Sequence, residues 1–249
     1  MKTQSSWIRA FLMRAFLMRG RRGWLAVGMG VLALAGMSAW LTAQQVANGG
    51  ASPALVTFTL DFPQSNPGHY SIAVDGNGHA SYESTVRVAE DSEEQTYRTE
   101  FEVSAGNRER VFEWAKQAQY FAGKIDSGNR KLAFTGAKIL SYQDGQHSNT
   151  ARYNYSNQEP VRELTTLFQN MAETLEYGRR LGYDHRYQKL ALDDELKRMQ
   201  AQARNNELSE IQGVAPVLQE ILEDPSVINV VRARAKELIQ MGSSAGAGR

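Results

Sequence analysis

The sequence predicts an α+β protein, an antiparallel sheet packed by helices with a C-terminal α-helical hairpin. Three observations carry this. Asp75-Gly76-Asn77-Gly78 sits between two alternating runs, Tyr70–Val74 and Ala80–Val88, and its Asp-Gly and Asn-Gly steps accept the positive φ that tight hairpin turns need. Further alternating runs follow at short spacing, which makes the strands antiparallel and leaves one face to be covered. From Val161 onward apolar residues recur every three or four positions, the period of helices.

In chain order, the basic residues Lys2, Arg9, Arg14, Arg19, Arg21 and Arg22 precede the uncharged run Trp24–Leu41, and Leu41-Thr42-Ala43 precedes Gln44. A basic region, an apolar run and a small residue at the cut describe an export signal cleaved between Ala43 and Gln44. The alternative is an uncleaved anchor, because about 18 apolar residues approach the length that spans a bilayer. Either reading sends the remainder across the cytoplasmic membrane, to a periplasmic or secreted address, with the membrane touched only through this segment. Arg9–Met13 is repeated as Arg14–Met18, so translation from Met18 also leaves a conventional signal, and Arg21-Arg22 admits the twin-arginine route.

Six of the 28 basic residues precede Gln44 and none of the 27 acidic ones does. The exported part therefore carries 22 basic against 27 acidic residues, a balance of −5, which lacks the basic footprint of a nucleic-acid binder. The chain has no cysteine, which removes disulfides, thiolate nucleophiles and thiolate metal sites together.

Residues 44–54 form a small-residue linker. A first strand, Leu55–Phe62, sets Val56, Phe58, Leu60 and Phe62 on one face. After the Pro63–Gly68 loop and the hairpin, the acidic stretch from Glu90 to Glu94 turns into a strand with Tyr97, Thr99, Phe101 and Val103 inward and Arg98, Glu100 and Glu102 outward. Ser104 is placed to N-cap a helix from about Asn107 to Phe121, whose stripe is Val111, Ala115, Ala118 and Ala122, widened by Trp114 and Phe121. A second hairpin is expected from Leu132–Tyr142 and Ser148–Tyr155. Val161, Leu164, Phe168, Met171 and Leu175 define a helix of about five turns, which Gly178 and Gly182 bend or end. Leu192, Leu196, Met199 and Ala203 make a stripe on a charged helix. In the last helical pair Leu218, Ile221, Leu222, Ile228, Val231, Ala235 and Leu238 should dock on the body, with Asp224-Pro225 as the break. The domains expected are a signal or anchor (1–43), the linker, an α+β domain (55–178), a helical region packed on it (179–241) and a disordered tail (242–249).

Across Leu55–Leu175, the residues Phe58, Leu60, Tyr70, Ile72, Val74, Asp75, Gly76, Tyr82 and Phe112 give a strand order that resembles small α+β domains of unknown function in exported bacterial proteins. The resemblance implies fold and export and brings no active site. Some such domains carry paired cysteines before the hairpin tyrosine, and Pro63–His69 has none. Gly213–Met241 resembles a single HEAT-type helix pair, which alone cannot bury its stripes and must pack on the body or a partner.

No motif assigns chemistry. His69, His79, His147 and His185 lack the close spacing of a zinc site, though His69 and His79 flank one hairpin with Asp61 or Glu83 adjacent. Gly76–His79 lacks the lysine of a phosphate loop, and Ser127-Gly128 and Ser141 lack the esterase elbow. Asp61, Glu83, Glu100 and Glu102 alternate with Arg87 and Arg98 as a solvated sheet face does. Tyr70, Tyr82, Tyr97, Tyr142, Tyr153 and Tyr155 cluster in the strands, either as core edges or lining a groove for peptide or glycan. The reading is an exported, noncatalytic binding or scaffold module of a bacterial-type envelope, with no cofactor or metal expected and a protein, peptide or glycan as partner. A periplasmic hydrolase using histidine or carboxylate residues is the alternative, and convergence of His69, His79 and a carboxylate in one pocket would favour it.

Overall fold

The computed structural model describes residues 53–87 and 94–247. The N-terminal segment with the Ala43–Gln44 junction, most of the linker and the acidic turn from Glu90 to Glu93 lie outside them. Six strands form one antiparallel sheet: β1 (Leu55–Asp61), β2 (His69–Asp75), β3 (His79–Arg87), β4 (Glu94–Glu102), β5 (Ala137–Gln143) and β6 (Ser148–Tyr153). Their spatial order is β4-β3-β2-β1-β5-β6. The chain leaves the β4 edge, crosses through α1 (Ala105–Gln117) and re-enters on the far side of β1. The α+β expectation holds.

Period-2 patterning determines the covered face. Val56, Phe58 and Leu60 on β1, Tyr70, Ile72 and Val74 on β2, Ala80, Tyr82, Ser84 and Val86 on β3 are all buried, while the residues between them are half-buried or exposed. Against this face lie α1 and the long α2 (Glu159–Tyr187), with the Phe58 and Phe168 rings stacked at 5.4 Å. On the edge strand β4 only Phe101 is buried; Tyr97 and Thr99, expected in the core, are half-buried.

The central turn is a three-residue loop in which Gly78, at φ 101°, takes the left-handed position and Gly76 does not. Asp75 Oδ1 accepts the backbone N–H groups of Asn77 (2.8 Å) and His79 (3.0 Å), which closes the turn from inside.

Elsewhere the structure departs from the sequence pattern. Ser104 precedes α1 without capping it: its Oγ donates to Glu210 Oε1 (2.8 Å) and its N–H to Glu210 Oε2 (3.0 Å), so a buried carboxylate from a distant loop serves that end. The helix stops at Gln117, and residues 119–121 form a separate tight turn. The fifth strand begins at Ala137 rather than Leu132, because its partner β1 ends at Asp61, opposite Ala137; Leu132 and Phe134 ride outside, exposed. Gly178 and Gly182 neither end nor divide α2, which runs 29 residues through both, so the boundary drawn at 178 falls inside one helix.

The remaining helices form a further layer. α3 (Leu192–Arg204) buries Leu192, Leu196 and Met199 as its stripe predicts. α4 (Ala215–Glu223) and α5 (Asn229–Ala247) are docked, with Leu218, Ile221, Val231, Ala235 and Leu238 inside. Ile228 is exposed and Leu222 half-buried; Val227 takes the inward place after the Asp224-Pro225 break. α5 also continues to Ala247 where a tail was expected from 242, and Gly242 is buried against the backbone of Ile211 and Gln212, where a Cβ would come to 3.0 Å of Gln212 N. Among the described residues no helix is long and apolar enough to cross a membrane.

Candidate functional site

Between α1 and β5, Gln119, Tyr120 and Phe121 hold φ values of 53°, 54° and 63°. Three successive non-glycine residues in left-handed geometry cost roughly 1–2 kcal/mol each. Tight-turn hydrogen bonds from Phe121 N to Ala118 O and from Ala122 N to Gln119 O, both 3.0 Å, close the segment. Burial of the Phe121 ring holds it from within.

The turn throws Tyr120 sideways onto the β5–β6 connection. Its ring stacks on His147 at 4.1 Å and 29°, and lies 4.7 Å from the ring of Tyr142. Asp144 organises the far side: Oδ1 accepts the backbone N–H groups of Gln146 and His147 (both 2.6 Å), Oδ2 accepts Tyr142 Oη (3.0 Å), and His147 Nδ1 is 3.2 Å from both oxygens. The backbone N–H bonds from Gln146 and His147 hold the Asp144 carboxyl well below the usual carboxylate range. Burial, then the bond to Asp144, pushes the Tyr142 hydroxyl up to about 12.

Tyr120 and Tyr142 flank an open groove of about 770 Å³ along α1, with Phe112 and Trp114 as further apolar lining. Glu109, Arg110, Glu113 and Lys116 stand along it, two acids and two bases. An aromatic lining with a balanced charged rim suits a ligand that is polar but carries little net charge, through ring stacking and hydrogen bonds.

The residues singled out by sequence distribute as follows. His69 and His79 stand at opposite ends of the β2–β3 hairpin, about 20 Å apart by strand rise, and do not converge. His79 Nδ1 pairs with Glu102 across β3–β4, His185 Nε2 with Asp224 at 2.9 Å, and His147 joins the groove cluster. Among the described residues no group of histidine and carboxylate side chains is arranged to hold a metal ion. Glu83, Glu100 and Glu102 lie on the outer sheet face, where Arg98 Nε donates to Glu83 Oε2 at 2.7 Å, and Asp61 is exposed at the end of β1. Ser141 and Thr150 share a hydroxyl bond across β5–β6 at 3.0 Å, and Ser127 N bonds Tyr155 O at 2.8 Å.

Most of the strand tyrosines are core. Tyr70, Tyr82, Tyr142 and Tyr153 are buried, and burial raises the hydroxyl of each. Tyr97 is half-buried and Tyr155 exposed. Only Tyr142 of that set lines the groove; its companions Tyr120, Phe112 and Trp114 come from α1 and the turn after it. The spacing of apolar residues predicts a continuous helix through that stretch, and no glycine marks the left-handed turn.

Comparison with protein-family models finds no match to this chain. Comparison with curated proteins finds none either.

Proposed function

We propose that the protein is an exported binding module of a bacterial-type envelope, holding an extended peptide or glycan in the aromatic groove along α1. The observation that carries the reading is Tyr120, presented on a non-glycine left-handed turn and stacked between His147 and the groove. Backbone strain of this kind is retained where a side chain must be aimed. Dispersal of the histidines favours a binding module over the histidine hydrolase. The basic and apolar N-terminal pattern supports export, with cleavage before Gln44, and the docked α4–α5 pair reads as one HEAT-type unit turned onto its own body.

The chain has four tryptophans, Trp7, Trp24, Trp40 and Trp114, so a mature form beginning at Gln44 retains Trp114 alone, in the groove wall. Its fluorescence reports groove occupancy directly. Titration with a chitin tetrasaccharide and with an unstructured neutral decapeptide should shift Trp114 emission for one of the two, and Tyr120→Ala should remove the shift. A Trp114 signal indifferent to both would overturn the groove reading, and N-terminal sequencing of protein outside the cytoplasm tests the Gln44 start.

A further inference from the structure

At the other end of β5, Lys138 is only 5% exposed, yet the acceptors around its ammonium are all uncharged: Thr135 Oγ1 at 2.9 Å, the Asn154 carbonyl at 3.0 Å and the Thr135 carbonyl at 3.4 Å. The hydrogen bonds are filled and the charge is not answered. Among the described residues neither Lys138 nor Arg162 forms an ion pair. Arg162 spends one N–H on the Asn157 carbonyl, at 3.0 Å. Asp126, which reaches the same corner, is turned onto the backbone N–H groups of Asn154 (2.8 Å) and Gly128 (2.7 Å).

Lys138 and Arg162 both line a hollow of about 390 Å³ between the β5–β6 end of the sheet and the first turns of α2. Hydroxyls and amides of Thr135, Tyr155, Thr166 and Gln169 complete its wall, and no carboxylate lines it. We propose that this hollow is a binding site for a small-molecule oxyanion, a carboxylate or a phosphoryl group, clamped between Lys138 and Arg162. The site is separate from the aromatic groove and does not rest on it.

Two physical arguments support the assignment. A buried ammonium without a counter-charge carries a desolvation cost that an anion removes, and burial indeed lowers the Lys138 pKa. Arg162 adds a planar fork suited to paired oxygens, and a volume of this size accepts a small metabolite rather than a polymer. The long contact to the Thr135 carbonyl, 3.4 Å, is the one an incoming oxygen replaces at least cost.

The test uses inorganic phosphate and acetate as probes, at constant ionic strength set with sodium chloride, read by isothermal calorimetry and by melting temperature. Saturable binding of either probe is expected, with Arg162→Gln weakening it by about tenfold, the loss of one charge-assisted contact. Preference for phosphate assigns a phosphoryl ligand, and preference for acetate a carboxylate. Lys138→Met should abolish binding. Should that variant fail to fold, exposed Arg162 still decides. No saturable response to either probe, or equal affinity in wild type and Arg162→Gln, would overturn the proposal.

Discussion

Gly178 stands so close to Val214 that a Cβ at position 178 would lie 2.5 Å from Val214 Cγ1. The glycine lets the turn that leads into α4 press onto α2. One helical turn later, a Cβ on Gly182 would meet Val217 Cγ2 at 3.9 Å, an ordinary contact. Two Gly→Ala changes in one helix should therefore have opposite signs. Gly182→Ala gains helix propensity and should stabilise by about 0.5–1 kcal/mol. Gly178→Ala must displace Val214 and should destabilise by about 1–3 kcal/mol despite the same propensity gain. Urea unfolding measures both, and a stabilised Gly178→Ala would show that the approach is loose.

The central turn makes a similar contrast. Gly78 holds φ 101°, outside the range of a β-branched residue, and Gly76 holds no positive φ. Gly78→Val should cost at least about 1–2 kcal/mol, whereas Gly76→Ala, whose Cβ would find Ala54 at 3.6 Å, should stay within about 0.5 kcal/mol. Equal melting temperatures for both variants and wild type would contradict the turn geometry.

Much of the sheet was legible because alternation reports one covered face, and β1, β2 and β3 carry it without interruption. What failed depended on partners distant in sequence. Gly178 and Gly242 look like breakers and are points of close packing, which requires knowing that the 211–214 turn lies against them. Leu132–Phe134 reads as strand but runs past the end of β1 and has no ladder to join. Val227 and Ile228 are adjacent apolar residues, and only the pitch of the Asp224-Pro225 break selects the first for the core. The groove was hidden because its strained turn consists of ordinary residues, and Lys138 because a lysine in an alternating strand reads as solvent-facing.

Glu176 ties the sheet to α2. It is 1% exposed; Tyr82 Oη and Ser84 Oγ donate to its Oε1 at 2.8 and 2.7 Å, and Arg179 Nε to its Oε2 at 2.7 Å. Tyr82→Phe or Ser84→Ala should each cost about 1.5–3 kcal/mol, the net worth of one hydrogen bond to a charged group. Glu176→Ala, which strands two buried hydroxyls and an arginine, should cost about 3–5 kcal/mol. The three variants share one acceptor, so their effects should not add. A Glu176→Ala protein as stable as Tyr82→Phe would mean that water replaces the carboxylate.

The connection between α4 and α5 is braced by Asp224 against the end of α2. Its Oδ2 accepts Lys189 Nζ (2.6 Å) and lies 2.9 Å from His185 Nε2, and its Oδ1 accepts both Ser226 N (2.8 Å) and Ser226 Oγ (2.7 Å). The bond from Lys189, then those from Ser226 and His185, hold the carboxyl well below its ordinary value of 3.8. Because the folded value is the lower one, the unfolded chain takes up this proton first as acid is added. The stability contributed by Asp224 is therefore fully present above about pH 4–5 and is lost as pH falls through 3.8 towards the folded value. Asp224→Asn should melt lower than wild type at pH 7, with a gap that narrows steadily between pH 5 and pH 2. Asp126, Asp144 and Asp193 are depressed likewise and are untouched by this change, so the variant should keep most of its acid sensitivity. Melting curves across that range at fixed ionic strength make the comparison, and a gap independent of pH would assign the defect to lost packing at the α4–α5 connection rather than to the charge.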